Sequence, residues 1–440
     1  MSFYCAELPY QADASRYYAA LHDLPCAVWL DSGGMARFDI LSAAPQQWLD
    51  DEAANGNPFE LVRATLGERL VPVADVPFAG GALGYWSYDL ARGMHGLPSV
   101  ARDADRLPDM GIGIYDCALV MDHRLRTARL VSHQRFAETA KLLPQILQRL
   151  QSNPPLPRDT FRVDGKIRSN FTRDSYAAAF AQVQGYLQAG DCYQINLAQR
   201  FSATATGDAL GAYLALRTLS PAPYSAFLNL PNTQVLCASP ERFLRVQDGR
   251  VETRPIKGTR PRSSDAQHDR QLADELRNHP KDRAENLMIV DLLRSDLGKS
   301  CVPGSVRVPK LFEVESFANV HHLVSTVEGR LADGSDALDV LRGCFPGGSV
   351  TGAPKQRAMQ IIEQLEPHRR GIYCGAIGYV GFDGNMDTNI AIRTLVYSGK
   401  EIRCWAGGGI VADSDAAAEY QETLDKAAAM LTLLRQYGGV

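Results

Sequence analysis

The segment YCGAIGYVGFDGNMDTNIAIRTLV, residues 373–396, decides the predicted fold class. Its two apolar runs, 373–382 and 388–396, have the length and content of β-strands, and the short glycine-containing stretch DGNMD separates them. A connection this short joins antiparallel neighbours, because parallel strands need a long crossover. The segment therefore predicts an antiparallel hairpin.

Similar strand patterns recur along the chain and alternate with helical patterns. Further strands are predicted over residues 26–30, 37–41, 82–86, 112–121, 127–132, 193–201, 235–238, 242–246 and 402–406. Apolar residues at helical spacing predict helices over 174–188, 265–277, 282–293, 353–364 and 415–434. Because tight turns join many of the strands, we predict an α+β fold in which large antiparallel β-sheets form a sandwich with helices packed outside.

A proline-rich stretch, residues 151–159, follows a helical pattern that ends near Leu150. It predicts a boundary between an N-terminal region, 1–150, and a C-terminal region, 160–437.

Composition excludes several classes of protein. The 440 residues are 45% hydrophobic and carry a formal net charge of −4 without long runs of either sign, which argues against nucleic-acid and membrane partners. The nine cysteines form no Cys-x-x-Cys motif, no apolar run approaches the ~20 residues that span a bilayer, and no signal-peptide pattern opens the chain. We therefore expect a reduced, cytoplasmic protein.

Two acidic clusters lie on predicted helices. Glu285 lies in the first, and Glu419 and Glu422 share one helical face of the second with Lys426. Alone, each cluster is more often a solvated helix face with an ion pair. Together they could hold Mg²⁺, which commonly takes one or two protein carboxylates. Spacing does not choose between these interpretations.

Four glycine-rich segments accompany the clusters, over 345–355, 375–379, 384–388 and 406–411. The first precedes a predicted helix and can offer backbone N–H donors to an anion. It is not a Walker loop, and no dinucleotide-binding pattern follows a strand. Nucleotide chemistry is therefore disfavoured.

Over residues 170–430 the motifs, in their order, resemble those of the chorismate-utilising enzyme family. They are SPERF (239–243), PIKGT (255–259), DRAENLMIVD (282–291), HHLVS (321–325), GGSVTGAPK (347–355), IRT (392–394), GGGIV (407–411) and EYQETLDK (419–426). The resemblance implies large antiparallel sheets and a magnesium-dependent catalytic site in the C-terminal region.

Roles for individual residues follow from the same resemblance. Glu285 and Glu422 are expected to ligate Mg²⁺, with Glu419 beside them or acting through water, so that the metal holds the ring carboxylate of chorismate. Four further groups are expected to bind the enolpyruvyl carboxylate: the side chains of Arg393 and Tyr373 and the backbone N–H groups of Gly408 and Gly409. The remaining expected substrate-binding residues are Gln194, His322, Ser349 and Lys426.

Glu241 is expected to be the general acid that protonates the departing 4-hydroxyl. That role requires a raised pKa, and hence burial or a nearby carboxylate.

Lys257 distinguishes branches of the family. Anthranilate synthases carry Ala at this position, and enzymes that add water to chorismate carry a lysine base where this chain has Gln194. Lys257 matches the residue of aminodeoxychorismate synthases that is implied to attack ring carbon 2, after which ammonia enters at carbon 4. This step needs a neutral amine, whereas a free lysine titrates near ~10.4. Repulsion from three neighbouring arginines, or burial, would lower that pKa; the arginines are Arg254, Arg260 and Arg262.

The resemblance therefore implies a magnesium-dependent, transaminase-class enzyme that makes 4-amino-4-deoxychorismate for p-aminobenzoate and folate synthesis. Because the chain lacks a Gly-x-Cys-x-Gly motif, ammonia is expected from a separate glutamine amidotransferase subunit. Two alternatives stay open: component I of an anthranilate synthase, and a non-catalytic subunit that binds tryptophan or chorismate. Lys257 itself has a simpler alternative, a surface lysine in a basic loop.

Six residues resemble a tryptophan pocket found in some family members. They are Ser32, Arg37, Phe38, Pro223, Tyr224 and Ser225. Ordinary packing and turn chemistry explain them equally well.

Overall fold

The computed structural model describes residues 3–51, 56–317 and 320–438. The strands within these ranges are, in chain order, β1 (Tyr4–Leu8), β2 (Ala27–Asp31), β3 (Phe38–Ser42), β4 (Gln47–Leu49), β5 (Gly81–Trp86), β6 (Met110–Tyr115), β7 (Ala118–Asp122), β8 (Thr127–Ser132), β9 (Arg162–Ser169), β10 (Gln194–Thr206), β11 (Tyr224–Leu230), β12 (Thr233–Ser239), β13 (Arg242–Gln247), β14 (Arg250–Thr253), β15 (Ile256–Pro261), β16 (Arg307–Ser316), β17 (Val320–Arg330), β18 (Gly352–Ala353), β19 (Ala376–Gly381), β20 (Met386–Ile390), β21 (Thr394–Ser398) and β22 (Glu401–Ile410).

The α-helices of the same ranges include all five that the sequence predicts. They are α1 (Ser15–Ala19), α2 (Pro58–Leu66), α3 (Ala91–His95), α4 (Thr139–Ser152), α5 (Arg173–Gln188), α6 (Leu210–Leu219), α7 (Ala266–Asn278), α8 (Pro280–Gly298), α9 (Ala337–Cys344), α10 (Lys355–Leu365) and α11 (Ala416–Gln436). No helix among the described residues is long and apolar enough to cross a membrane.

The strands form two large antiparallel sheets. The first has the order β1-β8-β7-β3-β2-β11-β12-β21-β22-β10-β18, with β9 also paired to β10. The second has the order β15-β17-β14-β13-β20-β19-β5-β6-β4, with β16 also paired to β17. The predicted α+β fold with large antiparallel sheets is confirmed.

Successive side chains of a strand point to opposite faces of its sheet, and the central strand β11 is buried on both faces. In β11, Ala226 and Leu228 belong to a core that joins the two sheets. Phe227 points the opposite way, into a second core with Tyr213 of α6 and Leu433 of α11. Helices therefore pack on the outer side of the first sheet, as predicted.

The chain crosses from one sheet to the other within two runs that were predicted as single strands. Residues 112–121 divide between β6 and β7, and residues 388–396 divide between β20 and β21. Both single-strand predictions were wrong, because an apolar run looks the same whether its halves are buried in one sheet or in two. At the second crossing Arg393 adopts a left-handed backbone conformation, with φ of 52°.

A third crossing, between β12 and β13, contains Glu241 and lies against the crossing that contains Arg393. The Ile390 N–H donates to the Glu241 carbonyl at 3.0 Å, and the Ala238 N–H donates to the Arg393 carbonyl at 3.1 Å. Two candidate site residues that are far apart in sequence are thus held side by side.

Strands from both sides of the predicted boundary share each sheet. In the first sheet β2 pairs with β11, and in the second β5 pairs with β19. The N-terminal strands thereby support the sheets that carry the site, and the division into regions 1–150 and 160–437 stays a prediction.

Candidate active site

A cavity of about 840 Å³ lies beside the Glu241 and Arg393 crossings. Most of the predicted catalytic, metal-binding and substrate-binding residues line it: Glu241, Lys257, Glu285, His322, Ser349, Tyr373, Arg393, Gly409, Glu419, Glu422 and Lys426. Gln194 and Gly408 are outside this lining.

A gap in the second sheet makes room for the centre of the cavity. Strands β14 and β15 pair one after the other with β17, but only β14 pairs on its other side with β13. Strand β15 therefore separates from β13. Lys257 of β15 lies near Glu241, in the crossing between β12 and β13.

Glu241 is a buried carboxyl with few donors around it. The Ser349 hydroxyl donates to its Oε1 at 2.9 Å, and the Ile256 N–H also donates to the carboxylate. Burial raises the pKa of Glu241, although Ser349 and the Lys257 charge oppose the shift. The environment therefore favours the protonated form that a general acid needs.

Lys257 lies in the cavity, where its Nζ donates to the Ser349 carbonyl at 3.3 Å. Burial lowers the pKa of Lys257; Lys426 acts in the same direction, and Glu285 and Glu241 oppose it. A larger fraction of the Lys257 amine is therefore neutral than in a free lysine.

Of the two expected causes of this lowered pKa, burial is confirmed, whereas repulsion from the three neighbouring arginines is not among the causes. Each is neutralised by an acidic partner: Arg254 by Glu315, Arg260 by Glu275 and Asp282, and Arg262 by Asp269.

Arg393 presents a cation to the cavity. Among the described residues, its guanidinium has no hydrogen-bond or ion-pair partner, and burial lowers its pKa. Burial and the Arg393 charge lower the pKa of the neighbouring His322 to about 4, so its ring is neutral near pH 7. An unpaired guanidinium beside a neutral imidazole suits a carboxylate ligand.

The three predicted metal ligands border the same cavity. The Lys426 Nζ lies 2.6 Å from Glu422 Oε1, and Ser414 donates to Glu419 Oε1 at 2.6 Å. Burial raises the pKa values of Glu285 and Glu419. Burial also acts to raise the pKa of Glu422, but Lys426, Lys257 and Lys281 together outweigh burial, and this pKa lies below its usual range.

These carboxylates fit an open Mg²⁺ site better than a closed metal cage. No three His, Cys, Asp or Glu side chains within residues 3–51, 56–317 and 320–438 are close enough to enclose a metal. Glu419 Oε2 is nevertheless buried and has no hydrogen-bond partner in the described part of the chain. Mg²⁺ needs only one or two protein carboxylates and takes its other ligands from water and substrate.

Strand alternation in β22 decides which glycines face the cavity. Gly407 and Gly409 line it, whereas a Cβ on Gly408 would lie 2.7 Å from Glu419 Oε2. Gln194 is fully buried beside Gly409, and neither polar atom of its amide has a hydrogen-bond partner among the residues that the structure describes.

Trp405 is a cavity residue that the sequence analysis missed. It precedes Gly407 by two positions in β22, and its indole stacks on Tyr373 with a centroid separation of 6.0 Å. The period of two in β22 was the signal that could have found it.

The six residues of the predicted tryptophan pocket lie outside the cavity. Asp122 and Asp75 hold Arg37, whose guanidinium stacks over Phe38. Nearby, the protein's own Trp29 is fully buried, with the Arg217 guanidinium 4.5 Å from its ring centre. Tryptophan binding stays a prediction.

Comparison with known proteins gives a consistent answer. Residues 26–432 match the family described as chorismate binding enzyme. The chain is 48% identical to aminodeoxychorismate synthase component 1 of Salmonella typhimurium, over 95% of each protein. It is 40% identical to anthranilate synthase component 1 of Streptomyces coelicolor, over 92% of this chain and 82% of that protein.

A solved structure extends the likeness to three dimensions. Anthranilate synthase component I from Streptococcus pneumoniae superposes with a TM-score of 0.81 at 34% identity, covering 90% of this chain and 92% of the other. The family resemblance of the motifs is confirmed: this chain belongs to the chorismate binding enzymes.

Proposed function

We propose that the protein replaces the 4-hydroxyl of chorismate with ammonia and releases 4-amino-4-deoxychorismate, the precursor of p-aminobenzoate in folate synthesis. The observation that carries the proposal is the Lys257 amine, which lies in the same cavity as Glu241 and Glu285 and has a lowered pKa. The 48% identity to an aminodeoxychorismate synthase component supports the same choice.

Chorismate is anchored through its two carboxylates. Arg393 receives the enolpyruvyl carboxylate, because its guanidinium is unpaired, and Tyr373 and Gly409 border the same space. Glu285 and Glu422 would hold Mg²⁺, with Glu419 beside them, and the ion would supply positive charge for the ring carboxylate. The Trp405 indole stacks on the ring of Tyr373.

The nucleophilic step uses Lys257. Its neutral amine bonds to ring carbon 2, the two ring double bonds shift, and the bond from carbon 4 to the hydroxyl breaks. Glu241 supplies the proton with which the hydroxyl leaves as water. Ammonia then bonds to carbon 4, the double bonds shift back and the bond to Lys257 breaks, so the enolpyruvyl group is kept.

A glutamine amidotransferase subunit supplies the ammonia. The words "component 1" in the names of the similar synthases support a second component, and no glutaminase motif occurs in this chain. With glutamine as nitrogen source, the complete reaction is of the transaminase class.

The test is an incubation of the purified protein with chorismate, Mg²⁺ and ammonium. We expect 4-amino-4-deoxychorismate without release of pyruvate. Formation of anthranilate and pyruvate would show an anthranilate synthase instead. No turnover by folded protein would favour the non-catalytic binding subunit.

Intact-protein mass spectrometry tests the role of Lys257. With chorismate and Mg²⁺ but no ammonia, we expect a covalent adduct that is absent from Lys257→Ala. Lys166→Ala is the matched control, because Lys166 is exposed and lies outside the cavity. An adduct that persists in Lys257→Ala would contradict the assignment.

A further inference from the structure

Strand β15 contains a β-bulge at the residue that carries the reactive amine. Ile256 pairs with Val324 and Thr259 pairs with His322, so three steps along β15 correspond to two along β17. In a regular strand, residues three apart point to opposite faces of the sheet. The extra residue places Ile256 and Thr259 on one face.

Lys257 lies before Gly258 and Arg260 lies after it, and both side chains interact with residues of helix α8. Arg260 donates to Asp282 of α8 at 3.1 Å, and Lys257 lines the cavity with Glu285 of the same helix. Bulges of this kind change the direction of a side chain next to many active sites.

Gly258 is the residue that permits the bulge. Its φ is +81°, in the left-handed region that favours glycine. A Cβ at this position would lie 2.8 Å from Asp282 Cγ and 2.8 Å from Leu276 Cδ1. Both the backbone conformation and the lack of space therefore disfavour a side chain at position 258.

The neighbours of Gly258 cannot easily move away. Arg260 and His279 hold the Asp282 carboxylate at 3.1 and 3.0 Å, and Leu276 is fully buried. Asp282 lies in the first turn of α8, three residues before Glu285. The contact between Gly258 and Asp282 thus sets the spacing between β15 and the helix that carries Glu285.

We infer that Gly258 is a positioning residue, whose bulge aims the Lys257 amine at the substrate and holds it at a set distance from helix α8. The inference rests on the proposed function, because it assigns the geometry needed for the attack on chorismate. Gly258 acts through Lys257 and takes no part in the chemistry. Displacing a reacting group by about 1 Å can cost 10²-fold in rate.

The test compares Gly258→Ala with Gly304→Ala. Gly304 has nearly the same φ, +79°, but a Cβ at Gly304 would have no described atom within 4 Å. Gly304→Ala therefore introduces the same backbone strain without a steric contact. The readouts are kcat with ammonium, the rate of adduct formation without ammonia, chorismate affinity and the thermal unfolding midpoint.

We expect Gly258→Ala to lower kcat and the adduct rate by about 100-fold while chorismate affinity changes by less than about threefold. Gly304→Ala should keep both rates. A kcat for Gly258→Ala within about threefold of the parent would overturn the inference. A loss of affinity as large as the loss of kcat would overturn it too. Absence of product from the parent protein would instead overturn the proposed function.

Two further variants keep the test decisive. Adding Leu276→Ala to Gly258→Ala removes one of the two close contacts, and we expect part of kcat to return although the core is weakened. If Gly258→Ala does not fold, Asp282→Ala removes the surface against which the bulge rests. We then expect lower kcat with retained chorismate affinity, and unchanged kcat would overturn the inference.

Discussion

At the scale of single residues, Arg393 combines a strained backbone with an unpaired charge. Arg393 lies where the chain crosses between the sheets and has a left-handed φ of 52°. Its side chain lines the cavity. A partly buried cation without a partner among the described residues is costly, and a carboxylate ligand removes that cost.

We expect Arg393→Gln to raise the chorismate dissociation constant about 10- to 100-fold, because hydrogen bonds to charged groups contribute about 1.5–3 kcal/mol. Equilibrium binding to the Mg²⁺-loaded protein measures the change. Arg262→Gln is the control, since Arg262 pairs with Asp269 outside the cavity. Equal losses in the two variants would contradict a direct contact with the substrate.

Glu241 makes a pH dependence predictable. As the proposed general acid, Glu241 acts in its protonated form, and burial raises its pKa. The catalysed step should therefore persist above the ordinary carboxyl range and decline as pH rises through the raised pKa of Glu241. The measurement is kcat against pH at constant concentration of neutral ammonia. Glu241→Gln should be slower by about 10²- to 10⁴-fold and lack this decline. If the decline of kcat at high pH is unchanged in Glu241→Gln, a group other than Glu241 causes it.

Residue roles and protonation states differ in how far they could be predicted. The motif carrying Lys257 pointed to a nucleophile, but the arginines beside it in sequence are ion-paired and do not lower its pKa. Desolvation lowers the pKa of Lys257. This desolvation depends on side chains from α8, from α11 and from the turn that contains Ser349, which are distant from Lys257 in sequence.

At the scale of elements, Arg370 connects the end of α10 to the walls of the site. It is fully buried and donates to the carbonyls of Val350 and Asn196, each at 2.8 Å. Its charge is balanced by Glu366, at 2.6 Å. Val350 and Asn196 line the cavity, so this ion pair supports two of its walls.

We expect Arg370→Ala to lower the free energy of unfolding by about 3–5 kcal/mol, because the buried Glu366 loses its counter-charge. Urea unfolding measures the difference. The double variant Arg370→Met with Glu366→Leu should lose less than the single one, since no buried charge remains. A single variant within about 1 kcal/mol of the parent would contradict a structural role for the pair.

Elements with strong periodicity were predictable, and breaks inside apolar runs were not. The observed α11, Ala416–Gln436, is close to the predicted 415–434. The predicted strand 388–396 instead splits at Ala391 to Arg393, because its halves belong to different sheets. That break creates the backbone position of Arg393.

At the scale of the whole molecule, each sheet depends on strands from both ends of the chain. Strand β2 pairs with β11 over five residues, and β5 pairs with β19 over six. Removing the N-terminal region would leave central strands as unpaired edges, which favour aggregation.

We therefore expect a fragment of residues 160–438 to form no stable monomer, although it contains every predicted catalytic residue. Size-exclusion chromatography and circular dichroism are the measurements. The full chain purified in parallel is the control. A monomeric fragment with the thermal midpoint of the full chain would show that the C-terminal region folds alone.

The sequence by itself determined the chemical groups and the antiparallel character of the sheets. Motifs carry catalytic side chains directly, and short turns permit only antiparallel neighbours. Only the tertiary structure decided where runs pass between sheets, how the bulge at Gly258 directs Lys257, and which form of Glu241 and Lys257 is favoured. These properties depend on burial and on contacts between distant segments, to which local residue patterns are insensitive.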